Sequence, residues 1–152
     1  MFRDFLLASA HHLLLFGLVA MLAMQSALLS RPLDAAGLRR LLGVDRGYGA
    51  TAGLLLVAGI GRVGWGVKGS DYYLQNPWFH AKFGAFVLAA LVSLWPTLAF
   101  LRWRRQAARQ PGWLPGPDQL AGARTVVRIE LALVAAIFVL AAGMARHGTL
   151  GG

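Results

Sequence analysis

At 152 residues and 16.3 kDa the chain has the size of one domain, yet 57% of it is hydrophobic, only 14% is charged and its mean hydropathy is +0.58. A water-soluble domain of that size would have too few polar side chains to cover itself, which excludes an ordinary soluble globular protein. The 15 Lys and Arg against 6 Asp and Glu give a formal charge of +9, and the absence of cysteine excludes disulfides, Cys-ligated zinc, iron–sulfur clusters and thiol catalysis.

Runs of about 20 apolar residues cross roughly 30 Å of hydrocarbon as a helix. Four occur here: Phe5 to Leu29, Tyr48 to Val67, Phe79 to Leu101 and Val126 to Ala145. They predict an all-α fold, a polytopic transmembrane four-helix bundle in a single integral membrane domain, with spans at about 5–29, 48–67, 79–101 and 126–145.

The first run resembles a secretory signal only superficially. It is 25 residues long, contains His11-His12, and is preceded by one arginine, Arg3, offset by Asp4, so a retained span is expected. After Ser30-Arg31-Pro32, the stretch Asp34 to Val44 sets Leu38, Leu41 and Leu42 against Arg39 and Arg40. It reads either as a short interfacial helix or as a polar connection with a few leucines. The second run ends at Lys68-Gly69-Ser70-Asp71, and Asn76-Pro77 supplies a cap and a first-turn proline for the third. Within the third, Trp95-Pro96 marks a kink that frees the carbonyl of Val92. A Pro/Gly-rich connection, Gln110 to Pro117, leads to the fourth run, for which Asp118 is the expected cap. Glu130 lies beside Arg128 near a basic surface and reads as an interfacial ion pair in preference to a proton relay.

The basic residues set the orientation. The first connection carries Arg31, Arg39, Arg40 and Arg46, and the third carries Arg102, Arg104, Arg105, Arg109 and Arg124. Positive loops stay cytoplasmic, so both the N and C termini are expected on the outer side of a bacterial inner (cytoplasmic) membrane. The same distribution argues against nucleic acid, because no base-stacking or recognition-helix pattern accompanies the arginines.

Ionisable residues inside spans are costly and default to functional candidates. Antiparallel spans bring His11, His12, Arg62, His80 and Lys82 to the outer half, with His147 as a terminal anchor and Asp71, Tyr72, Tyr73 and Asn76 in the outer connection. Arg62 shares a stripe with Ala52, Gly59 and Gly66, and Lys82 shares one with Ala85, Ala89 and Ser93. Small residues mark helix contacts in membranes, so both cations are expected to point into the bundle. His80 sits about 200° around the helix from Lys82 and belongs at the mouth. His12 lies with Ser9, Ala20, Ala23 and Ala27, whereas His11 lies with Leu15, Leu18, Leu22 and Gln25. The small residues favour His12 inward, while Gln25 keeps His11 in contention. Imidazole ligates haem iron or copper, and buried cations pair with carboxylates such as haem propionates. A zinc hydrolase or serine hydrolase has no matching motif here.

Through Asp45-Arg46-Gly47-Tyr48-Gly49, Gly59-Ile60-Gly61-Arg62, Lys68 to Tyr73, Asn76-Pro77-Trp78-Phe79-His80-Ala81-Lys82 and Pro96-Thr97, the chain resembles the small bacterial membrane proteins of domain-of-unknown-function family 2214. More distantly, it is similar to the HemJ-type protoporphyrinogen oxidases, helical membrane proteins that bind haem b. There a first-span His and the Lys of a His-Ala-Lys motif are functionally important, which implies roles for His11 or His12 and for Lys82 in His80-Ala81-Lys82. The expectation is a membrane protein binding haem b or a porphyrin through His11, His12, Arg62, His80 and Lys82, with His12 or His11 on the metal and a redox role. The alternatives are a non-enzymatic membrane subunit or scaffold, as a homo-oligomer or with a membrane partner, and a small-solute transporter.

Overall fold

The computed structural model describes residues 2–65 and 77–147. Among these, four helices account for nearly everything: α1 (Phe2–Leu29), α2 (Ala35–Trp65), α3 (Pro77–Arg109) and α4 (Pro117–His147). Each packs on two neighbours, α1 on α2, α2 on α3, α3 on α4 and α4 on α1, while the diagonal pairs do not meet backbone to backbone. The result is an up-and-down four-helix bundle in which, among the described residues, α2 and α3 approach each other least. Three of the helices, α1, α3 and α4, are long and apolar enough to cross a membrane. The other, α2, is less apolar, since its first half carries Arg39, Arg40, Asp45 and Arg46 and its second half is interrupted by glycines.

The helices outrun the apolar runs. At 1.5 Å per residue, 28 to 33 residues span about 42 to 50 Å, well beyond the hydrocarbon core. The surplus lies mostly at the arginine-rich end. There α2 begins at Ala35, so the segment 34–44 is neither a separate interfacial helix nor a loose connection: it is the first third of a continuous helix. Asp34 starts it, its Oδ1 accepting the Gly37 N–H at 2.6 Å, an N-cap that satisfies one of the orphan amides of the first turn.

The connection between α3 and α4 is equally well determined. Trp113 N–H donates to Gln110 O at 3.1 Å across Pro111-Gly112, and Gly112 has φ +82°. Proline at the second position and a positive φ at the third make a type II turn, and only glycine takes that φ without strain. The cap of α4 differs from the sequence expectation. Gly116 occupies the cap position, its N–H donating to Gln119 Oε1 at 3.0 Å, with Pro117 at the first helical position. Asp118 is therefore a first-turn acid favoured by the helix dipole and not the cap.

Each helix turns one stripe inward at steps of three and four residues. The stripes are Leu18, Leu22, Gln25 and Leu29 on α1; Leu38, Leu41, Asp45, Tyr48 and Leu55 on α2; Ala89, Pro96, Phe100 and Trp103 on α3; and Leu120, Ala123, Val127, Glu130, Val134 and Ile137 on α4. Outside, Phe16, Val57, Leu91 and Val139 are exposed, a belt suited to lipid. Because lipid is as apolar as leucine, close packing and polar contacts hold such a bundle together within the bilayer. Toward the arginine-rich end, water restores a hydrophobic contribution from Leu33, Leu41, Phe100 and Trp103.

Candidate functional site

Polar side chains converge at one level of the interior, about a third of the way along the bundle from its arginine-rich end. Asp45 of α2 is the hub: its Oδ1 accepts Thr97 Oγ1 of α3 at 3.1 Å and Gln25 Nε2 of α1 at a long 3.4 Å. One carboxylate oxygen thus links three helices. Pro96 precedes Thr97 and removes a backbone N–H from α3 at this level. One turn further in, the buried Tyr48 of α2 and the part-buried Ser93 of α3 add hydroxyls, that of Ser93 donating to Ala90 O at 2.7 Å. The fourth helix contributes Glu130, 1% exposed, within electrostatic range of both Asp45 and Tyr48.

Glu130 is the anomaly of the set. Both of its carboxylate oxygens are buried without a hydrogen-bond partner. The expected ion pair with Arg128 is not formed, because residues two apart on a helix point about 200° apart and Arg128 is exposed. The cluster is therefore a bonded carboxyl on α2, an unbonded one on α4, and an amide and three hydroxyls around them, from Gln25, Tyr48, Ser93 and Thr97.

No described cation neutralises it. A buried polar group left unbonded costs about 1–3 kcal/mol, and a carboxylate at the centre of a span about 3 kcal/mol on insertion scales. Two carboxylates together add repulsion, so the arrangement favours a proton or another small cation between them.

The outer candidates are less assembled. His11 is half-buried, continuing the Leu18–Gln25 stripe. His12 faces outward, with Nδ1–H donating to Ala8 O at 2.6 Å, and the two rings meet edge to face at 6.1 Å. The small-residue argument for His12 thus fails: Ala20, Ala23 and Ala27 are exposed, while the leucine stripe containing Gln25 makes the helix contacts. His80 is exposed, at the expected mouth position. Ala52 and Gly59 are part-buried, as are Ala85 and Ser93, and Ala89 is buried. The side chains of Arg62, Lys82 and His147 lie outside the described residues, as do Asp71, Tyr72, Tyr73 and Asn76. Across the described residues no group of three or more metal-ligating side chains forms.

Sequence reasoning gave Glu130 an interfacial ion pair in preference to a proton relay, and undervalued Gln25. The signal was available in the spacing of Leu120, Ala123, Val127, Glu130, Val134 and Ile137, an unbroken inward stripe with an acid at its middle.

Compared with known proteins, the chain matches the predicted membrane protein family DUF2214 over residues 3–148. No curated protein and no solved structure matches it, so the likeness to the HemJ-type oxidases rests on the quoted residues alone.

Proposed function

The chain belongs to the predicted membrane protein family DUF2214, and on that premise we propose that it is a proton-handling membrane protein in which Asp45 and Glu130 share a proton inside the bundle. The observation that carries this reading is the buried, unbonded carboxyl of Glu130 opposite a hydrogen-bonded Asp45. A purely structural polar cluster would have satisfied both groups. Intramembrane acids facing a bundle interior commonly serve proton relays. Here the second layer, Tyr48 and Ser93, carries hydroxyls one turn further along, and beyond it come the small residues Ala52 and Gly59 on α2 and Ala85 and Ala89 on α3, all at least part-buried. The arginine-rich end faces the cytoplasm by the positive-inside rule, so the pair sits in the inner half of the membrane.

Purified protein in vesicles containing a pH-sensitive dye tests the proposal. Under an imposed pH gradient, wild type is expected to dissipate it faster than empty vesicles, with Glu130→Gln and Asp45→Asn both slowed. An imposed sodium gradient should leave the rate unchanged. Wild-type vesicles no faster than empty ones, or variants as fast as wild type, would overturn the reading and leave a non-enzymatic subunit.

Haem or porphyrin binding at the outer end, through His11, His12, Arg62, His80 and Lys82, is a separate proposal. The half-buried position of His11 favours His11 over His12 as the ligand. A Soret band lost in His11→Ala supports it, and colourless protein that takes up no added haemin ends it.

A further inference from the structure

Two adjoining hollows open where α1 and α2 approach the arginine-rich end. The first, about 660 Å³, surrounds the connection and is lined by Ser30, Arg31, Asp34 and Arg40, among others. The second, about 500 Å³, is lined almost wholly by apolar groups of Met24, Ala27, Leu28, Gly43 and Val44, with Arg40 again at its edge. Ala27, Leu28 and Arg40 line both, so the hollows are one groove with a basic mouth and an apolar throat.

The helix registers make this groove. On α1, Met24, Ala27 and Leu28 follow one another at steps of three and one, with Arg31 just beyond the helix end; on α2, Arg40, Gly43 and Val44 keep the same steps. Ala27 continues the exposed small-residue face of α1, and a Cβ added at Gly43 would meet nothing within 4 Å, so the throat is open for want of side chains. The acid at the mouth is already engaged: Asp34 caps α2 through Gly37 N–H. Arg31 and Arg40 are both exposed, which leaves a net positive mouth over an apolar throat.

We propose that this groove holds one anionic phospholipid of the cytoplasmic leaflet, its phosphate between Arg31 and Arg40 and an acyl chain along Met24, Leu28 and Val44. Charge complementarity selects the headgroup, and basic pockets at this depth recognise anionic lipids. The apolar continuation selects a lipid over a free anion. The inference is independent of the proton site, whose side chains Gln25, Asp45 and Glu130 are buried inside the bundle.

The test is thermal stability of the purified full chain in neutral detergent, titrated with dioleoyl-phosphatidylglycerol, dioleoyl-phosphatidylcholine or inorganic phosphate. Wild type should gain protection from phosphatidylglycerol alone. In Arg31→Gln/Arg40→Gln the half-saturating concentration should rise about 30-fold, at roughly fivefold per cation. Gly43→Leu, which fills the throat without altering charge, should lose the protection while folding as wild type. Arg104→Gln/Arg105→Gln, at the same end but on α3, should behave as wild type. Equal protection by both lipids, undiminished protection in either groove variant, or equal loss in the Arg104/Arg105 variant would overturn the proposal. Protection by inorganic phosphate that survives Gly43→Leu would likewise overturn it, leaving a free-anion contact.

Discussion

Glu130 concentrates the physics of the bundle into one side chain. Its burial without a bond is a standing cost of about 1–3 kcal/mol, so replacing it by an apolar group of similar size should help folding. Glu130→Leu is expected to raise the thermal midpoint in detergent, whereas Asp45→Ala should lower it, since Gln25 and Thr97 lose their shared acceptor. Circular dichroism melts check both, and a lower midpoint for Glu130→Leu would mean the carboxyl contributes a bond to the fold. The two acids differ in how they could be read from the chain. Asp45 and Tyr48 stood in a motif already marked as distinctive, but nothing local revealed Thr97 as a partner 52 residues away. Glu130 was masked by its neighbour Arg128, because adjacency along a chain suggests pairing that helical geometry forbids. His12 was misjudged for a related reason. The rule that small residues mark helix contacts holds on α2 and α3 and fails on α1, where leucines and Gln25 pack and alanines face outward.

At the scale of elements, the turns and close approaches carry the sharper predictions. Gly112 takes φ +82° in the type II turn between α3 and α4. Gly112→Ala should cost about 1 kcal/mol, read as a lowered midpoint with unchanged helix content. Gly47 is different in kind: its backbone is ordinary, but an added Cβ would lie 3.0 Å from Met21 Sδ across the α1–α2 seam. Gly47→Val should destabilise by about 1–3 kcal/mol through overpacking, and Gly47→Val/Met21→Ala should recover much of it. If the double variant is no better than the single, the two helices do not approach closely there. The four helices were legible because hydropathy and Pro/Gly punctuation agreed. The helix lengths were not, since the polar extensions of α2, α3 and α4 are held by core contacts at Leu41, Trp103 and Ala123 that no run of apolar residues announces.

For the whole molecule, the bundle has a polar interior level and an apolar outside, the reverse of a soluble four-helix protein, and its basic residues gather at one end. That polarity orients it. Reporter fusions near Pro115 are expected to read cytoplasmic and fusions after Gly152 to read outside, with the opposite pair of signals inverting the orientation but not the bundle. The proposed proton handling turns on the carboxyl pair inside the bundle. Infrared spectroscopy of the membrane-reconstituted protein should show the carbonyl stretch of a protonated carboxyl at neutral pH, shifting in deuterated water, altered in Glu130→Gln and in Asp45→Asn and absent when both are changed. A spectrum without that band, or one that both substitutions leave untouched, would show that Asp45 and Glu130 share no proton.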